Sequence, residues 1–245
     1  MTIARKIETI LSRSSWIRKM FEEGGRLKAQ HGAQNVFDFS LGNPNIAAPE
    51  CFDKALAETA CSCSGEHGYM PNTGYPHVRQ AVARHVSEEQ AVTVDENDIV
   101  MTCGASGALN VALKTLLDPG DEVLTPIPCF VEYGFYADNH GGVLKTVPTH
   151  PDFSLDLEGF EQAITDRTKV VLINSPNNPT GQIYSRESLD ALGDLLRRKS
   201  AAFQRTIYLV SDEPYRKIVF DNHFVPSIFG CYANSIIGTS YSKDI

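Results

Sequence analysis

At 245 residues, 42% hydrophobic and 21% charged, the chain has the make-up of a soluble globular protein, long enough for one large domain with or without a small companion. A net charge of −8 with no basic stripe argues against a nucleic-acid or anionic-membrane partner. No apolar run approaches the ~20 residues of a bilayer span, and the opening "MTIARKIETILSRSSWIRKM" is charged throughout, unlike a secretory signal.

In chain order, helical stretches are expected at roughly 14–31, 50–61 and 74–91, joined by the turn-rich segments "SLGNPN" and "GYMPNTGYP". Residues 1–45 read as an N-terminal arm and part of a smaller domain, and residues 46–245 as the main domain. From residue 98 onward short β-branched runs alternate with helical patterns. The runs are "DIVMTC" (98–103), "DEVLTP" (121–126), "GVLKTV" (142–147), "KVVLIN" (169–174), "TIYLVS" (206–211) and "SIIGTS" (235–240). Such runs suit strands buried on both faces of a parallel sheet. The helices between them are "SGALNVALKTLL", "DLEGFEQAI" and "SRESLDALGDLLRRK", the last with Ser185 as a candidate N-cap. Its late basic cluster, Arg197 to Lys199, is expected to face solvent and complement the helix dipole. The fold class is therefore α/β, a mainly parallel sheet with helices on both faces. There is no internal repeat. The cysteines (Cys51, Cys61, Cys63, Cys103, Cys129, Cys231) include no C-x-x-C pair, which fits reduced thiols of a cytosolic protein and no metal site.

In open sheets of this kind ligands bind beyond the carboxyl ends of the strands. Four such ends carry chemistry. After the first run, "CGASGALN" opens a helix whose free N–H groups, with Ala105 and Ser106, could cradle a phosphate, although small residues there serve packing about as often. "NSPNNPTG" after the fourth run can present the amide of Asn178, or be a purely structural loop. In "SDEPY" after the fifth, Asp212 sits at the tip of an apolar strand, where burial of a carboxylate is costly unless a cation or proton pairs with it. "SYSKDI" after the sixth brings Ser240, Ser242 and Lys243 to the same rim. Together these tips offer a phosphate site, an amide donor, a buried carboxylate with a nearby phenol, and an amine. A pyridine ring bearing a phosphate, a phenolic oxygen and an aldehyde calls for that set.

With "SLGNP", "NSPNNPTG", "SDEPY" and "SYSK" in that order, the sequence resembles the fold-type I pyridoxal-phosphate enzymes, specifically the aspartate aminotransferase-like class I and II aminotransferases. The resemblance implies pyridoxal 5′-phosphate as cofactor and a transaminase moving an amino group between an L-amino acid and a 2-oxo acid. Lys243 would be the Schiff-base lysine and proton shuttle, and Asp212 the partner of the pyridine nitrogen. Tyr215 and Asn178 would bond the phenolic oxygen, while Ala105, Ser106 and Ser240 would hold the phosphate. Phe130 would stack on the ring, and Gly42 and Asn178 would lie near the substrate. Tyr69 would reach the phosphate of a neighbouring subunit, which implies a homodimer with shared sites.

The sequence also departs from the family pattern. A phosphate-binding arginine eight residues past the lysine, a carboxylate-binding arginine in a C-terminal segment, and an antiparallel strand between the first and sixth strands have no counterpart within these residues. A C-terminally truncated large domain is therefore expected, with a slot in its sheet and with weak folding and catalysis in isolation. The alternatives are a carbon–sulfur or β-lyase on the same cofactor, a ligand-sensing regulator, for which the stretch before Gly42 is too short to add a DNA-binding module, and an inactive remnant.

Overall fold

The computed structural model describes residues 3–4, 6–8, 15–39, 46–62 and 68–243. Gly42 lies outside these residues. The chain divides into two compact units, Met1–Ala48 and Pro49–Ile245. In the first, helix α1 (Ser15–His31) is followed by a 3-10 turn at Ala33–Asn35, and Lys28 Nζ pairs with Asp38 Oδ2 at 2.7 Å.

The second unit begins with α2 (Glu50–Ser62) and α3 (Pro76–Gln90). Proline at the start of α3 fits the position where a missing N–H removes no helical bond. The α/β part then runs α4 (Gly104–Leu116), β1 (Glu122–Ile127), α5 (Tyr133–Asn139), β2 (Val143–Pro148), α6 (Leu157–Ala163), β3 (Thr168–Asn174), α7 (Arg186–Phe203), β4 (Tyr208–Asp212) and β5 (Ser235–Gly238). The five strands form one parallel sheet in the order β2-β1-β3-β4-β5. Ser185 caps α7 as expected, its side chain accepting from Ser188 N–H at 3.2 Å. Among the described residues no helix is long and apolar enough to cross a membrane.

The strand sequences explain how this sheet is covered. Side chains alternate along a strand, so consecutive apolar residues feed both faces. Leu124, Val171, Ile173 and Leu209 enter a core with Leu189, Leu192 and Leu196 of α7 and Phe160 of α6. Their neighbours Val123, Val170, Leu172 and Val210 enter a second core with Leu109 and Leu113 of α4 and Tyr133 of α5. Each of these side chains is at most 2% exposed, and burial of one contributes roughly 1.5–3 kcal/mol before entropy is subtracted. The central strands are therefore continuous apolar runs, whereas β2 and β5, at the edges, are only partly buried. Helix α7 lies close over the loop ahead of β5: a Cβ at Gly193 would stand 2.4 Å from Cys231 O, so this crossing requires glycine.

One expected strand is absent. Ile99 is extended (φ −103°, ψ 129°), yet residues 99–102 join no ladder among the described residues. Met101 N–H instead donates to Thr73 C=O at 3.0 Å. An extended run becomes a strand only when a neighbour takes its backbone groups. Between this run and β5 lies a cavity of about 640 Å³ lined by Ile99, Val100, Met101, Ile236 and Ile237. It stands where a slot between the first and sixth runs is expected, so "DIVMTC" has no ladder partner beside it.

Candidate active site

The carboxyl ends of β1, β3, β4 and β5 and the start of α4 face one rim, and all but Gly42 and Tyr69 of the expected site residues lie at these ends or in the segments next to them. Asp212 is the last residue of β4 and is 6% exposed. Its Oδ2 accepts a 2.6 Å hydrogen bond from the hydroxyl of Tyr133, the fully buried first residue of α5. Its Oδ1 is buried with no partner among the described residues. Burial raises the Asp212 pKa to about 6, the Tyr133 bond opposes that rise, and the neighbouring Glu213 adds to it. Burial and the Asp212 charge together push the Tyr133 phenol far above its ordinary range, so it stays a donor. The result is a carboxylate with one oxygen held and the other left open to a cationic N–H.

The β3 end is fixed by Asn174, opposite Asp212 in the ladder. Asn174 Nδ2 donates to Asp212 C=O at 2.7 Å, and Oδ1 accepts from the Asn178 N–H at 2.6 Å. The loop then closes on itself: Asn177 Oδ1 accepts from Thr180 N–H and Oγ1, and Gly181 N–H returns to Asn177 C=O. This arrangement presents the Asn178 amide, whose Nδ2 stands 3.5 Å from the Tyr215 hydroxyl. Burial and the Asp212 charge raise the Tyr215 pKa, while the Asn178 amide lowers it. An acceptor placed between these two groups would meet two donors.

At the start of α4, Gly104 takes φ +70°, a conformation glycine adopts without strain. No side chain caps the helix at Cys103, so its first N–H groups are free of a side-chain acceptor. A Cβ at Gly104 would lie 4.0 Å from Ser240 Cβ, which places the loop after β5 beside this helix start. The hydroxyl of Tyr136 donates to Ser106 Oγ at 2.8 Å, leaving the serine proton to point elsewhere, and Ser240 and Ser242 share a 2.8 Å bond. The Ser106 and Ser240 hydroxyls thus lie beside an uncapped helix start, the kind of end that favours anions. Phe130 is partly buried and meets Tyr133 edge to face at 5.7 Å. Lys243 is half-buried in the turn at 241–243 after β5. Tyr69 is fully exposed on the irregular segment between α2 and α3.

Sequence reasoning passed over Tyr133, Tyr136 and Asn174, and with the first two the whole of α5. The signal for α5 was Tyr133, Tyr136 and Ala137 at i, i+3 and i+4 in "YGFYADN". The signal for Asn174 was a polar residue closing an otherwise apolar strand.

A parallel sheet thus carries an uncapped helix start and a half-open buried carboxylate at one rim, and comparisons with known proteins place the chain in a family. The profile described as "Aminotransferase class I and II" matches residues 34–245, and the chain belongs to that family. It is 35% identical over 200 residues to a probable aspartate aminotransferase of Methanocaldococcus jannaschii, covering 80% of this chain and 50% of that protein. It is 38% identical over 203 residues to a probable aspartate/prephenate aminotransferase of Thermus aquaticus, covering 82% and 51%. Among solved structures, an amino transferase from Eubacterium rectale superposes with a TM-score of 0.92 at 36% identity, covering 99% of this chain and 62% of that one. The chain thus spans about half the length of the curated relatives it matches.

Proposed function

We propose that this chain is the cofactor-holding part of a pyridoxal-phosphate-dependent aminotransferase acting between an L-amino acid and a 2-oxo acid. The observation that carries the reading is Asp212: a buried carboxylate with its second oxygen unpartnered, at the rim where the other expected residues gather. The residues present fit the cofactor. The open Asp212 Oδ1 suits a protonated ring nitrogen, the Asn178 and Tyr215 pair suits the phenolic oxygen, and the first turn of α4 with Ser106 and Ser240 suits the phosphate. Once bound, pyridoxal phosphate supplies an aldehyde that captures amines and a ring that accepts electrons from a neighbouring C–H bond.

The roles of this chain's own groups follow. Asp212 holds a proton on the ring nitrogen, and Tyr133 keeps the carboxylate oriented for that task. Phe130 gives the ring an apolar surface on the Tyr133 side. Lys243 supplies the amine that anchors the cofactor and, once released, carries a proton between substrate and cofactor carbons. Gly42 is assigned to the substrate side, and Tyr69 to the phosphate of a second subunit in a homodimer, both on the family resemblance. An acidic amino acid such as aspartate is the first substrate to test, because the relatives' names point there.

The test uses the protein carrying every residue its gene encodes, loaded with pyridoxal phosphate and mixed with aspartate in the absence of an oxo acid. Stoichiometric pyridoxamine phosphate is expected. Ammonia and an oxo acid released with the cofactor unchanged would instead mean a lyase.

A further inference from the structure

We propose that Asn174 is a positioning residue whose side-chain amide locks Asn178 and Asp212 at a fixed separation across the cofactor site. The proposal rests on the reading of those two residues given above. The backbone partners dictate the orientation of the amide: the Asn178 N–H can only donate, and the Asp212 C=O can only accept. The Asn174 oxygen must therefore face Asn178 at 2.6 Å, and its nitrogen must face Asp212 at 2.7 Å. The Asn174–Asp212 pair is the last rung of the β3–β4 ladder. Beyond it the two chains diverge into separate loops, and the Asn174 side chain adds one more rung where the backbone has none to give. It does so at 2% exposure, where a hydrogen bond is strong and a lost one is costly.

Few side chains can replace it. Aspartate of the same shape keeps the acceptor for Asn178 but sets a carboxylate oxygen against the Asp212 carbonyl. Leucine offers neither bond. Glutamine is one methylene too long for a rung this short. The separation so fixed is the one that counts for the ligand. Asp212 presents its open oxygen at the end of β4, and Asn178 presents its amide, 3.5 Å from Tyr215, on the loop after β3. A rigid aromatic ring bridging the two tolerates little play between them.

The test uses Asn174→Leu and Asn174→Asp, alone and combined with Asn178→Ala. Amide exchange is followed at Asn178 in the cofactor-free protein, and pyridoxal-phosphate affinity by absorbance titration. Asn174→Leu should speed exchange of the Asn178 amide by at least about ten-fold and weaken affinity about ten-fold, as loss of an orienting outer partner does. On the Asn178→Ala background the same change should cost less than about three-fold, because one of the two groups being positioned is gone. A role in overall packing alone would give the full loss on both backgrounds, and that result overturns the proposal. If Asn174→Leu fails to fold, Asn174→Asp decides: Asn178 should stay protected while affinity still falls about ten-fold, and unchanged affinity overturns the proposal. Asn178→Ala and Asp212→Ala are titrated alone in the same series. If neither weakens binding, the cofactor reading itself fails and the positioning role falls with it, even where exchange shows the two bonds intact.

Discussion

Two carboxylates are buried in this sheet at opposite ends, and their environments differ. Glu122 opens β1 at the amino end, with its side chain 1% exposed. Lys145 Nζ lies 2.7 Å and Arg167 Nη2 3.1 Å from one oxygen, and Thr165 donates to the other at 2.7 Å. Burial pushes its pKa up, but the Lys145 and Thr165 bonds and the two nearby cations outweigh this and hold it below the ordinary value. Asp212 closes β4 at the carboxyl end with one phenol on one oxygen and nothing on the other, and its pKa rises. One carboxylate is complete within the protein and serves the fold. The other keeps one oxygen without a partner among the described residues. Burial alone distinguishes neither; the unpartnered oxygen is what makes Asp212 the candidate.

The largest effect should come from altering that carboxylate. Asp212→Asn removes the charge that would hold a proton on the cofactor, and turnover of the loaded enzyme should fall on the order of a thousand-fold. The same change should stabilise the cofactor-free protein. The folded state binds the Asp212 proton more tightly than the unfolded chain, because the folded pKa is about 6 against an ordinary 3.8. The resulting penalty is absent below the ordinary value, grows as pH rises between the two values, and is fully present above the higher one. At about pH 7.5 the asparagine variant should therefore gain up to about 3 kcal/mol in a denaturant melt, and much less at about pH 4.

Glu122→Gln should do the reverse. It leaves Lys145 and Arg167 facing a neutral amide and should cost about 1–3 kcal/mol in the same melt, with unchanged affinity for pyridoxal phosphate. A loss of affinity would break the division between the two ends of the sheet. A smaller and sharper change is Tyr133→Phe, which strips Asp212 of its remaining donor. The Asp212 pKa should then rise further above about 6, since the lost bond is the one that lowers it. Destabilisation of about 1–2 kcal/mol is expected at alkaline pH, where the carboxylate is charged, and less at acid pH, where it is protonated. Carboxyl chemical shifts against pH would read both.

Much of this site is local in sequence and so was legible there. Asn178, Asp212 and Ser240 lie at the ends of apolar runs or within four residues of them, and a polar residue so placed stands at the rim of the sheet. The parts that escaped are those made by contact between distant segments. Tyr133 reaches Asp212 across 79 positions and Tyr136 reaches Ser106 across 30, on a helix only seven residues long. Strand 98–103 failed for a related reason. Its composition promised a buried strand, but a strand is a relation between two segments, and the one facing it across the cavity makes no ladder with it. The other five runs became strands because each has at least one laddered neighbour, and β1, β3 and β4 have two.

The most direct test of the central claim is chemical. The protein is loaded with pyridoxal phosphate, reduced with borohydride, digested, and the pyridoxyl-bearing lysine located by mass spectrometry. Stoichiometric label on Lys243, lost in Asp212→Ala at limiting cofactor, is the predicted result. Label scattered over the surface lysines, or concentrated on a lysine away from the β5 turn, would contradict the assignment of this rim as the cofactor site.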